Sequence, residues 1–132
     1  MRTAVDSSVL LLILRQQAGA EQWRHTLSRA AAEGVLVLCP VVFAECSVGF
    51  SSATEAQKRF DELGILHEGF TPESAWLAGH IFLQYRKKQG PREHLLPDFL
   101  IAAHATVQAD RLAALDRGYV RAYFPQLRWL AP

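Results

Sequence analysis

Cysteine is nearly absent: Cys39 and Cys46 are the only two in 132 residues, and both sit among apolar neighbours. A disulfide between them is one reading; the favoured one is two small buried hydrophobes in a reducing cytosol. Long apolar runs are missing as well. The longest, Val9 to Leu14, falls far short of the roughly 20 residues that a membrane-spanning helix needs. No charged start followed by a long apolar stretch opens the chain. These absences lead to the expectation of a cytoplasmic protein with no membrane association. An excess of one charge is lacking too: 14 Lys and Arg against 13 Asp and Glu give a formal charge of +1, which neither suggests nor forbids a nucleic-acid partner. There are no repeats, low-complexity tracts or linkers. What remains is half apolar and 20% charged, the composition of one globular domain spanning residues 1–132.

Short β-like runs alternate with longer helical patterns. Thr3 to Val5 is the first run, followed by a helix from Ser7 to Gln16 with Gly19 as its stop. Ala20 to Ala32 is a second helix, ended by Gly34, and Val35 to Leu38 is an unbroken apolar run typical of a strand covered on both faces. Further helices are predicted from Pro40 to about Val48, from Ala53 to Leu63, from the Thr71-Pro72-Glu73 start to Gln89, and from Leu96 to Ala109. Ile65 to His67, Leu112 to Leu115 and Leu127 to Leu130 complete the strands. This alternation predicts an α/β fold of three layers, α/β/α, around a central parallel sheet of four to five short strands.

Four of the 13 acids stand at element ends or early helical turns. Asp6 ends the first strand and Asp116 the fourth, so both point to the crevice outside the strand carboxyl ends, where ligands of such sheets bind. Glu45 lies about one turn into the helix after the second strand, and Asp98 starts the helix before the fourth. Each has a plain reading: Asp6 and Asp98 as helix caps, Asp116 as a turn residue, Glu45 on a solvated face. Taken together they suit one shared site. Crowded carboxylates need a counter-charge, and an all-oxygen donor set selects Mg²⁺, with Mn²⁺ as a substitute. The chemistry this favours is phosphodiester hydrolysis.

Val-Asp-Ser-Ser-Val-Leu-Leu at the start, Ala44-Glu45, Leu-Pro-Asp-Phe-Leu-Ile-Ala-Ala-His-Ala, and Leu-Ala-Ala-Leu-Asp-Arg-Gly-Tyr follow one another as in a known family. The ordered set resembles the PIN-domain ribonucleases, and among them the VapC-type toxins of toxin–antitoxin pairs. The resemblance covers essentially the whole chain. It implies that Asp6, Glu45, Asp98 and Asp116 form a catalytic acidic quartet, with Asp6 and Asp98 the direct Mg²⁺ ligands and Ser8 in support. It also implies a Mg²⁺-dependent endoribonuclease, an RNA substrate, a cognate antitoxin and a homodimer. The chain departs from the family two residues before the last acid, where Ala114 replaces the usual Thr or Ser. That departure makes a catalytically weak PIN domain, working as a regulatory module with an antitoxin, the alternative. An aspartyl-phosphate phosphatase fits less well, since Ser8 stands where its second Asp belongs.

Arg86-Lys87-Lys88 and Arg92 form the densest basic cluster, a candidate grip on RNA phosphates. It reads equally as the solvated end of a helix. Arg117 and Arg121 are lesser candidates, His94 is unassigned, and His104 reads as a packed core histidine. Trp23, Trp76, Phe82 and Tyr85 read mostly as core, with any exposed remainder available to an amphipathic antitoxin helix.

Overall fold

The apolar runs become five strands: β1 (Arg2–Val5), β2 (Val35–Leu38), β3 (Ile65–His67), β4 (Arg111–Ala113) and β5 (Trp129–Leu130). In the computed structural model, which describes residues 1–88, 96–115 and 118–132, they form one sheet of order β3-β2-β1-β4-β5 with every neighbouring pair parallel. Seven helices flank it: α1 (Ser7–Leu14), α2 (Ala20–Glu33), α3 (Pro40–Ser47), α4 (Ala53–Glu62), α5 (Pro72–Lys87), α6 (Leu96–Gln108) and α7 (Gly118–Tyr123). The parallel α/β architecture is the one the sequence pattern predicts. Among the described residues, no helix is long and apolar enough to cross a membrane.

Burial explains why β1 and β2 carry no alternation. Thr3, Ala4 and Val5 of β1 and Leu36, Val37 and Leu38 of β2 are all buried, as strands between two helical layers must be. The chain leaves β1 toward β2 and β3 on one side and reaches β4 and β5 on the other. A crevice therefore opens between the carboxyl ends of β1 and β4. Gly34 makes the start of β2 possible: Val35 N–H donates to the Met1 carbonyl at 2.9 Å, and a Cβ on Gly34 would lie 1.8 Å from that same oxygen.

Several local expectations change. The first helix stops at Leu14, and Gly19 is not its stop but the left-handed entry to α2, with φ of 92°. Helix α7 occupies a stretch to which the sequence pattern assigns no element, because six residues opening on glycine carry no helical period. Trp23 and Tyr85 are buried as predicted, and Tyr85 packs 5.2 Å from Phe99. Trp76 does not join them: it is 60% exposed and stacks on His80 at 3.8 Å. Both cysteines are free thiols and buried.

His104 is the packed histidine the sequence suggests, 1% exposed, with Nε2 2.9 Å from Glu68 Oε1. Arg2 pairs with the other Glu68 oxygen, and Gln108 donates to Glu68 at 3.3 Å. Burial pushes His104 below the ordinary imidazole range and outweighs the pull of Glu68. Burial also raises Glu68, but the hydrogen bonds from Arg2 and His104 overcome it and hold that carboxyl below the usual range.

Candidate metal centre

Asp6 comes first because β1 delivers it to the crevice. Its backbone is extended, it caps α1, and its side chain is buried at 2% exposure. Oδ2 accepts from Ser8 N–H at 3.2 Å and from the Ser8 hydroxyl. Its own N–H donates to the Ala113 carbonyl at 2.9 Å, tying it to the end of β4. The cap and the site residue are thus one side chain. A cap alone needs no burial, since capping hydroxyls and carboxylates work at exposed helix ends.

Glu45 lies in the second turn of α3 and is exposed. Its neighbour Cys46 is buried and reports on the surroundings. Burial is the largest cause of a thiol pKa pushed up to about 12, followed by the negative charges of Glu45 and Asp6, with Arg15 acting in the opposite direction. Cys39 is also raised, by burial first and with a smaller push from Asp6. Burial thus favours the neutral thiol at both cysteines.

Asp98 sits in the first turn of α6, within the helix rather than at the cap position first considered for it, and is half-buried. Helix α6 packs against α5, α3, β1 and β4. Asp116, Arg92, His94 and Arg117 lie outside the described residues. Among the described residues, no three histidine, cysteine or acidic side chains gather into a metal-holding group. The carboxylates that are described supply only hard oxygen donors, the chemistry suited to Mg²⁺ or Mn²⁺.

Ala114 is buried next to Ala113, and the following Leu115 N–H donates to Ser8 Oγ at 3.2 Å. Ser8 therefore contacts both Asp6 and the segment that leads to Asp116. No sequence signal marks this, because one partner is a backbone N–H 107 positions away. Arg86, Lys87 and Lys88 are exposed at the end of α5, with the Arg86 guanidinium 6.0 Å from the Phe82 ring centre. Arg121 lies over Trp129 at 4.5 Å.

With this geometry in place, comparison with known proteins is informative. The family described as the PIN domain matches residues 3–125. The chain belongs to the PIN-domain family. No curated protein matches it, but solved structures do. VapBC2 from Rickettsia felis, bound to a promoter DNA fragment, superimposes with a TM-score of 0.75 at 16% identity, covering 98% of this chain and 97% of that one. VapBC-1 from nontypeable Haemophilus influenzae gives 0.70 at 14% identity, covering 98% and 96%. VapC20 from Mycobacterium tuberculosis, a sarcin–ricin loop cleaving toxin, gives 0.61 at 18% identity, covering 96% and 98%. At these identities the likeness is one of fold. In this PIN domain, Asp6 lies where the topology opens a crevice between β1 and β4.

Proposed function

We propose that this PIN domain is a Mg²⁺-dependent endoribonuclease, the VapC-type toxin of a toxin–antitoxin pair, acting in the cytoplasm. The observation that carries the reading is Asp6, a buried carboxylate at the sheet's switch point, tied through its N–H and through Ser8 to the end of β4. Asp6 and Asp98 would hold the ion, with Glu45 and Asp116 completing the acidic face. When bound, Mg²⁺ or Mn²⁺ supplies charge stabilisation at phosphoryl oxygens and lowers the pKa of a bound water.

The chain's own residues do the rest. Ser8 fixes the Asp6 carboxylate by two hydrogen bonds. Glu45, exposed in the second turn of α3, would take a proton from the water that attacks phosphorus opposite the leaving 3′-oxygen. The bond from phosphorus to that oxygen breaks and the departing oxygen takes a proton from solvent, leaving a 5′-phosphate and a 3′-hydroxyl. Cys46 and Phe99, the residues next to Glu45 and Asp98, are buried and apolar, and dry neighbours strengthen charge interactions.

A cognate antitoxin is supported by the VapBC complexes among the similar folds. The homodimer is supported by the outer face of α5, where Trp76 and Leu83 are 60% and 52% exposed. With Glu73, His80 and Lys87 they form a 3-4-3-4 stripe, so antiparallel pairing of two copies sets Glu73 opposite Lys87 of the partner subunit. The second reading, a weak nuclease serving mainly as an antitoxin-binding module, is favoured by one feature, the missing hydroxyl at buried Ala114.

The deciding experiment is RNA cleavage by the wild type and Asp98→Asn, with chelator and then with restored ions. We expect cleavage with Mg²⁺ or Mn²⁺, none with Ca²⁺ or chelator, and a loss of at least ~100-fold in the variant. Equal rates in both proteins, or cleavage that survives chelation, would contradict the nuclease reading. No cleavage in either would leave the binding-module reading standing.

A further inference from the structure

A groove of about 380 Å³ runs between the end of α1, the start of α2, the α3–α4 connection and α4. Its walls carry Arg15, Arg24 and Arg59, its floor includes Leu14 and Phe50, and Cys46 closes the inner end. Among the described residues, no acid lines it. Among the described residues, neither Arg15 nor Arg24 has an acid within ion-pair distance, and Arg59 meets Glu62 only at 3.7 Å. Arg24 Nε is the one buried side-chain nitrogen or oxygen there without a hydrogen-bond partner. A guanidinium held this way, against an apolar floor and with no carboxylate supplied, is a group prepared for an anion from outside.

The groove's position identifies the anion. Cys46, which lines the groove, is the residue next to Glu45 on α3. The basic groove therefore borders the helix that carries Glu45. We infer that this groove is the track for the single-stranded RNA flanking the scissile phosphate, with Arg15 and Arg24 gripping backbone phosphates and Phe50 and Leu14 receiving a base. The inference rests on the ribonuclease reading and gives that site its substrate path. Cations in a row without interspersed acids, beside an apolar floor, match a polyanion backbone better than the mixed polar rim of a protein interface. The Arg86-Lys87-Lys88 cluster is not needed for this path.

The test uses the full chain carrying Asp98→Asn, so that RNA stays intact, and a fluorescent single-stranded RNA read by anisotropy across a salt series. Adding Arg15→Gln and Arg24→Gln should weaken binding about tenfold or more and reduce the slope of log affinity against log salt by about 1.4, at about 0.7 per phosphate contact. Arg86→Gln with Lys87→Gln, the same charge change, should do less. Should Arg24→Gln fail to fold, Arg15→Gln alone should lower the slope by about 0.7. Unchanged affinity and slope, or an equal loss in the Arg86/Lys87 pair, overturns the inference while leaving the nuclease reading intact. If polyglutamate binds the groove more tightly than RNA and alone is lost in the variants, the groove is a protein-binding surface and the inference falls. Absence of any RNA binding before the arginines are changed removes both readings together.

Discussion

Ser8 and Leu115 meet across 107 positions: the Leu115 N–H donates to Ser8 Oγ at 3.2 Å, while the same hydroxyl donates to Asp6. One side chain thus orients the buried acid after β1 and pins the segment after β4, beside the alanine that replaces the usual hydroxyl. Ser8→Ala should lower kcat by roughly 10–100-fold, the usual cost of losing a group that orients a metal ligand. Single-turnover RNA cleavage beside a binding measurement checks it, with binding expected to change little. An unchanged kcat would mean Asp6 is positioned without its serine.

The His104–Glu68 pair makes stability depend on pH. His104 is held below its unfolded pKa of about 6.5, so the stability tied to its neutral form is present above that pH and declines as pH falls through it. Glu68, held low, adds a contribution that is lost only at more acidic pH. Urea unfolding at pH 7.5, 6.5 and 5.5 should show a loss on acidification, and His104→Gln should flatten the upper part of it. A wild type equally stable at all three values would contradict the assignment.

Gly34 should tolerate no side chain. The Met1 carbonyl lies where its Cβ would go, and backbone cannot yield as a flexible side chain does. Gly34→Ala is expected to cost at least roughly 1–3 kcal/mol, as overpacking does. Thermal and denaturant unfolding measure it, and a wild-type midpoint would show that the two strands can part there without loss.

The α5 stripe predicts the oligomer. Leu83→Glu places an acid in the middle of an apolar seam and should raise the dimer dissociation constant at least tenfold, read by sedimentation velocity. A wild type that stays monomeric at high concentration rules the seam out.

The sequence made much of this fold legible because apolar runs fully covered by helices cannot alternate. Val35 to Leu38 became β2 at the predicted bounds, and Ile65 to His67 became β3. Helix ends shifted where a turn conformation decides them, as at Gly19. Trp76 was misread because helical period tells which residues share a face, not what covers it. The acids were chosen by their order along the chain; Asp6 stands after β1, Glu45 in α3 and Asp98 in the first turn of α6. Ser8's second hydrogen bond and the orphaned N–H of Arg24 left no trace in the sequence, since each depends on what the fold brings near rather than on neighbours in the chain.

The placing of β1 at the centre of the sheet has a consequence for how the protein comes into being. β1 pairs with β4, so Asp6 gains its backbone tie to Ala113 only once residues 111–113 have been made. Such distant pairing forms late in folding, because loop closure must precede it. On a ribosome, the buried acid after β1 would wait for more than a hundred further residues before the backbone that fixes it arrives.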